Sequence, residues 1–178
     1  MNWKVGETKE LIKTPIWTVC TTHKTDPAGR ERDYVTLKSP DWVCAVVRLG
    51  AQSDRFVMVR QFRHGINKLT VEFPCGMVDG EETAKEALLR ELDEEVGIKD
   101  ANIVSAELLY EACPNPAFMN NRMSCYYLVV SGLGNSRPDE DEFLETVVMS
   151  AKEVDETVAA ADYNVMMKHA WLLCKRFL

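Results

Sequence analysis

Three glutamates crowd one side of a single short stretch of this chain, and that crowding limits what the chain can become. The sequence predicts a helix over 82–96, with Gly97 as its C-terminal stop. At about 100° per residue, Glu91, Glu94 and Glu95 fall within about 100° of one another. Leu89, Leu92 and Val96 fall on the opposite side, where they are expected to dock onto a sheet. Like charges at i,i+3 and i,i+4 destabilise a helix by a few tenths of a kcal/mol per pair. Here they also sit late in the helix, near the negative end of the macrodipole, which adds to the cost. A chain tolerates that where a cation sits. Carboxylate oxygens are the ligands hard divalent ions prefer, and Mg²⁺ takes a few carboxylates together with substrate phosphates.

The charge distribution points the same way. The net charge is −7, but from Glu81 to Glu95 seven acids face two bases, and from Arg137 to Glu145 five acids face one. The rest of the chain is therefore close to +2. Two acid clusters on a nearly neutral body suggest bound cations, and no basic footprint for nucleic acid exists. The 178 residues, 46% hydrophobic and 28% charged, suit one domain with a sizeable core. No apolar run approaches the roughly 18 residues of a membrane span. Residues 1–10 carry four charges and no hydrophobic stretch, so a secretory leader is not expected and a cytoplasmic location is.

Several chemistries are excluded by missing patterns. Cys20, Cys44, Cys75, Cys113, Cys125 and Cys174 form no C-x-x-C pair, and buried reduced thiols are expected. Three histidines without H-E-x-x-H rule out a histidine-built zinc hydrolase, and neither G-x-S-x-G nor a P-loop occurs.

Along the chain, strands are expected at 16–22 and 32–37 around the turn Lys24-Thr-Asp-Pro-Ala-Gly29, then at 43–49 and 56–63. Further strands are expected at 103–111, 123–130 and 146–149, and 151–178 reads as helical in two parts. The result is an α+β chain: a curved mixed sheet sandwiched between helices.

From Gly76 the chain reads five residues, Glu82, seven residues, Arg90-Glu91-Leu92, one residue, Glu94-Glu95, one residue, Gly97-Ile98. That resembles the Nudix box at every specified position. The resemblance implies a single Nudix domain over 1–178, an α/β/α sandwich with its loop and helix at 76–98. It implies that Glu91 and Glu95 are the main Mg²⁺ ligands, with Glu94 a further one and Mn²⁺ the substitute ion. Arg90 and Glu82 form a supporting ion pair, Gly76 lets the backbone turn sharply, and the Cys75 carbonyl completes a metal shell.

The flanks extend the likeness over roughly residues 17 to 160. Val59-Arg-Gln-Phe-Arg-His-Gly65 followed by Glu72-Phe-Pro-Cys-Gly76 looks like the ADP-ribose pyrophosphatase branch, which usually has Ala at the position of Cys75. By that resemblance Arg63 reaches the substrate's phosphates and Glu72 is a polar contact near the metal; a strand-edge salt bridge is the competing role of Arg63. The segment 110–122, with Asn120, occupies the place of the substrate loop, and Asn115-Pro-Ala117 departs from the usual Ser-Pro-Gly. Asp139-Glu140-Asp141-Glu142 matches the loop of the catalytic glutamate: Glu140 is the candidate base and Glu142 a metal contact. Trp17 is a candidate for stacking on an adenine; Trp42 and Trp171 read as core.

Together these imply Mg²⁺-dependent hydrolysis of a nucleoside diphosphate linked to another group, ADP-ribose giving AMP and ribose 5-phosphate. The alternatives are a GDP-mannose-like nucleotide sugar, a nucleoside triphosphate, or a non-catalytic nucleotide-binding module. The family likeness further implies a homodimer in which the N-terminal strands within 1–40 take part; from the charge distribution and the short apolar runs, no nucleic-acid or membrane partner is expected.

Overall fold

The computed structural model describes residues 1–137 and 143–178. Its chain divides into two compact units, residues 1–41 with 112–122 and residues 42–111 with 123–178. The first unit is built on an antiparallel sheet of β1 (Lys4–Lys13), β2 (Thr18–Thr25) and β3 (Glu31–Lys38), in that order. The β2–β3 turn is held by Asp26, whose carboxylate accepts the Ala28 and Arg30 N–H groups at 2.8 and 3.0 Å. Residues 112–122 are tied within this unit: the Asn121 Nδ2 donates to the Pro40 carbonyl at 3.0 Å and the Leu37 N–H to that of Phe118 at 2.7 Å. β1 has no counterpart among the expected strands. All ten of its residues are exposed, so it carries no alternation to read.

The second unit holds a seven-stranded mixed sheet. Its strands are β4 (Trp42–Leu49), β5 (Arg55–Arg63), β6 (Lys68–Glu72), β7 (Cys75–Met77), β8 (Ile103–Ala112), β9 (Met123–Val130) and β10 (Leu144–Ser150). The order is β10-β5-β4-β9-β8, with β6 paired to β5 and β7 to β4. β4 and β9 run parallel in register from Trp42 opposite Met123 to Leu49 opposite Val130.

Period-two alternation sorts these strands into two faces. Val43, Ala45 and Val47 of β4, Val57 and Val59 of β5, and Leu128 and Val130 of β9 pack with α1 (Ala84–Val96). Cys44, Val46, Phe56, Met58, Cys125, Tyr127 and Val129 face the other way, against α2 (Ala151–Val158) and α3 (Val165–Cys174). The expected sheet between helices is therefore present, each buried aliphatic contributing about 1.5–3 kcal/mol. No helix among the described residues is long and apolar enough to cross a membrane.

Two details of α1 differ from expectation. It starts at Ala84 because Thr83 is the N-cap, its hydroxyl taking the Glu86 N–H while the Glu86 carboxylate takes the Thr83 N–H. Glu82 thus lies outside the helix. The buried side is Ala87, Leu88, Leu92, Glu95 and Val96, so it is turned toward the acids and Leu89 is only half-buried. The acidic side faces the β7 loop rather than open water, and Glu95 is drawn in with it.

The last turn of α1 has no basic residue to relieve its carbonyls. Backbone from far along the chain does so: the Arg137 N–H reaches Glu94 O at 2.7 Å and the Gly134 N–H reaches Gly97 O at 2.9 Å. The Thr146 hydroxyl reaches Glu95 O at 3.2 Å. Gly97 is left-handed (φ 66), and a Cβ there would lie 2.6 Å from the Gly134 carbonyl carbon. A Cβ on Gly134 would lie 2.7 Å from Gly97 O.

On the opposite face Trp171 is fully buried, edge-on to Phe56 at 4.9 Å, and its indole N–H donates to Asp155 at 2.7 Å. Trp171→Ala is expected to cost about 3–5 kcal/mol in denaturant unfolding, and Trp171→Phe clearly less. Equal losses in the two variants would contradict packing as the cause.

Candidate active site

Arg90 gathers the box. From the middle of α1 its guanidinium bonds Glu82 through Nε and Nη2, both at 3.0 Å. Nη1 donates to Glu91 at 2.9 Å and to Glu94 at 3.1 Å, and Nη2 also reaches the Met77 carbonyl at 2.9 Å. One side chain therefore joins the loop after β7 to two helix carboxylates. Asp79 adds to this ring from the loop, 3.5 Å from Arg90 Nη2, while its N–H donates to Glu82 at 3.1 Å. The Glu82 carboxylate, followed by the neighbouring Glu91 and Glu94, raises the Arg90 pKa. In return, Arg90 and then the Asp79 N–H hold the Glu82 carboxyl below its ordinary value.

Gly76 is required by contact. A Cβ at this position would sit 1.9 Å from the Glu91 Cδ and Oε1, so the carboxylate occupies the space a side chain would need. Next to it, the Cys75 N–H donates to Glu95 Oε2 at 2.9 Å. Glu95 is only 3% exposed, and this amide is one of the groups that receive its buried charge. Burial, with Glu95 nearby, pushes the Cys75 thiol up to about 12.

A second carboxylate–guanidinium pair continues from there along the sheet. Arg63 holds Glu72 through Nε and Nη2 at 3.0 and 2.9 Å, the parallel geometry in which these two groups bind best. Burial works against the Arg63 charge, but Glu72 outweighs it and the Arg63 pKa is raised. Arg63 Nη2 also touches Cys75 Sγ at 3.3 Å. Glu72, Arg63, Cys75, Glu95 and the Arg90 cluster are thus neighbours on one side of the second unit.

The sequence-expected residues fall into three groups. The structure brings together Gly76, Glu82, Arg90, Glu91, Glu94, Glu95, Cys75, Arg63 and Glu72, with Gly97 closing the helix. Arg63 makes the salt bridge that was the competing expectation for it, with Glu72 as partner. Trp17 and Asn120 belong to the first unit; both are exposed, and the Trp17 N–H is bonded to the Thr14 hydroxyl at 3.0 Å. Glu140 and Glu142 lie outside the described residues. Sequence reasoning passed over Asp79 and Thr70, whose hydroxyl bonds Glu72 at 2.7 Å. Thr70 stands two residues before Glu72 on β6, a same-face spacing that was available as a signal.

A hard divalent cation suits this donor set. The side chains are three carboxylates on consecutive turns of one helix, and the glycine cradle keeps Glu91 close to the backbone. Among the described residues no three ligating side chains already converge into a closed shell. A cation held by these carboxylates would need phosphate oxygens and water to complete its shell, as Mg²⁺-type sites usually do.

Comparison with known proteins places these features in a family. The NUDIX domain model matches residues 39–169. The ADP-sugar pyrophosphatase of Mus musculus is 28% identical, over 91% of this chain and 86% of that protein. The ADP-ribose pyrophosphatase of Bacillus subtilis (strain 168) is 27% identical, over 76% of this chain and 72% of that one. A crystal structure of an ADP compounds hydrolase superimposes with a TM-score of 0.80 over 100% of this chain and 95% of that chain, at 19% identity, a likeness of fold.

Because the folded-state pKa of Glu82 is depressed, its contribution to stability is present above its ordinary 4.5 and is lost as pH falls through the lower folded value. Arg90→Gln should therefore lower the melting temperature most at neutral pH, with the gap to wild type narrowing below pH 4.5. A gap that stays constant from neutral to strongly acid pH would rule out the ion pair as its source.

Proposed function

The chain belongs to the NUDIX family, and from that premise we propose that it hydrolyses the diphosphate bond of ADP-ribose, releasing AMP and ribose 5-phosphate, with Mg²⁺ as its ion. The observation that carries this reading is the single cluster in which Arg90 joins Glu82, Glu91 and Glu94, with Glu95 fixed by the Cys75 amide alongside. The names of the murine and Bacillus relatives, an ADP-sugar and an ADP-ribose pyrophosphatase, favour an ADP-linked substrate.

In this reading Glu91, Glu94 and Glu95 hold the cation, with the Cys75 carbonyl and Glu142 as further ligands. When bound, such an ion screens the diphosphate charge and makes phosphorus and water more reactive. The chain's own part is to keep the carboxylates in place. Arg90 restrains Glu91 and Glu94 and pins the loop through Glu82, while Gly76 leaves the room Glu91 needs. Arg63, clamped by Glu72, offers positive charge to the phosphates. Glu140 takes the proton from the attacking water, Trp17 stacks on the base, and Asn120 contacts the substrate.

A homodimer is part of the proposal. Val5, Leu11, Ile12 and Val35 of the first unit are all more than half exposed, apolar side chains on a sheet that water alone would otherwise cover. A second copy is the partner proposed to cover it. The cytoplasm is proposed as its compartment on the six free thiols, two of them, Cys44 and Cys125, with sulfurs 3.1 Å apart and unbridged.

Purified protein incubated with ADP-ribose and Mg²⁺ should release AMP, and a chelator should stop it. Glu95→Gln should lose orders of magnitude in rate while its melting curve stays close to wild type. Release of a different monophosphate from a panel of nucleotide sugars and triphosphates, with none from ADP-ribose, would replace the substrate. Normal turnover by Glu95→Gln would remove the metal assignment.

A further inference from the structure

The Arg63–Glu72 pair does not stand alone, and its surroundings suggest what they are for. Glu72 is buried at 5% exposure and its carboxylate takes three donors. Oε1 accepts from Arg63 Nε at 3.0 Å and from the Thr70 hydroxyl at 2.7 Å, and Oε2 accepts from Arg63 Nη2 at 2.9 Å. Thr70 reaches it because alternate residues of β6 share a face. The β5–β6 register, with Val59 opposite Glu72, Gln61 opposite Thr70 and Arg63 opposite Lys68, sets Arg63 one diagonal step from Thr70 and two from Glu72 on the same face.

The guanidinium is therefore fixed on one edge. Nε and Nη2 are committed to Glu72, and Nη2 also donates to Cys75 Sγ at 3.3 Å. Nη1 makes no hydrogen bond among the described residues, and the side chain is 38% exposed. A fork held on one edge and open on the other can take an anion without first giving up its rotamer freedom, which lowers the cost of binding.

We propose that Thr70 and Cys75 are positioning residues for the substrate's diphosphate: they hold the Arg63–Glu72 pair so that the Nη1 edge of Arg63 meets a phosphate oxygen. The inference rests on the diphosphate reading of the site. Thr70 acts by fixing the Glu72 carboxylate, and Cys75 acts by giving the guanidinium's Nη2 a second acceptor. Thiol chemistry plays no part in this; the sulfur serves as an acceptor.

The test compares wild type with Thr70→Val, Thr70→Ser, Cys75→Ala and Cys75→Ser. It measures steady-state kinetics on ADP-ribose, calorimetric Kd for ADP-ribose in a chelator, and melting temperature. Arg63 meets the same phosphate charge before and during reaction, so the loss should appear in KM with kcat nearly unchanged. Thr70→Val is expected to raise KM and the metal-free Kd by about tenfold, as losing a hydrogen bond to a charged group does. Thr70→Ser should recover most of that, Cys75→Ala should show a smaller rise, and Cys75→Ser should reverse it. Wild-type KM and Kd in Thr70→Val would overturn the inference, as would a Thr70→Ser variant that recovers only the melting temperature. A wild type that turns over ADP-ribose while Thr70→Val matches it overturns the positioning role alone. A wild type that neither binds nor cleaves ADP-ribose overturns the substrate reading, and this inference with it.

Discussion

Arg90 is the interaction on which the rest of the site depends. Three glutamates within two turns of a helix repel one another, and a fourth acid, Glu82, stands just outside its start. A single guanidinium reconciles them because it is planar, permanently charged and able to donate in several directions at once. A lysine at this position would offer one compact charge and could not bridge the loop carboxylate, the Met77 carbonyl and two helix carboxylates in fixed geometry. The loop after β7 takes its course from that fork, while Gly76, held in β7 by its pairing with Val43, lies against Glu91. Arg90 and its partners are only partly buried, so each contact is modest in energy. Their value lies in geometry: together they keep negative charge concentrated where folding alone would disperse it.

The sheet gives the site its rigidity. Alternation along β4 and β5 sends one set of side chains to α1 and the other to α2 and α3, so both faces are packed. β7 is only three residues long and would not persist alone. It is held because Val43 and Cys44 of the buried β4 pair with Gly76 and Cys75. Cys75 consequently has a fixed backbone, and its amide can serve Glu95. The carboxylates on α1 and the Arg63–Glu72 pair on β5 and β6 thus share one scaffold, with β7 between them.

Much of this was legible in the residues. Strands β4, β5 and β9 announced themselves by apolar runs, and the box announced itself by spacing. Other parts were illegible for physical reasons. β1 has no buried residue and hence no period. β6 and β7 are short, and their existence follows from pairing with β5 and β4 rather than from propensity. The rotation of α1 is not legible in its hydrophobic positions alone, because its buried side includes a charged residue. Glu95, a charged residue, belongs to that side because an amide waits for it, and no helical wheel reveals an amide from another segment. The cap at Thr83 is readable in the S/T-x-x-E pattern of Thr83 and Glu86, which places Glu82 before the helix. Arg63 illustrates the opposite case: its type was readable, its partner was not.

The contact between Gly97 and Gly134 bears on how such a chain can diverge. The two backbones touch, and the space each side chain would need is filled by the other's main chain. No compensating change at one position makes room for a side chain at the other, because what obstructs is common to every amino acid. Both stay glycine, or the seam between α1 and the chain leading to β10 has to be rebuilt as a whole.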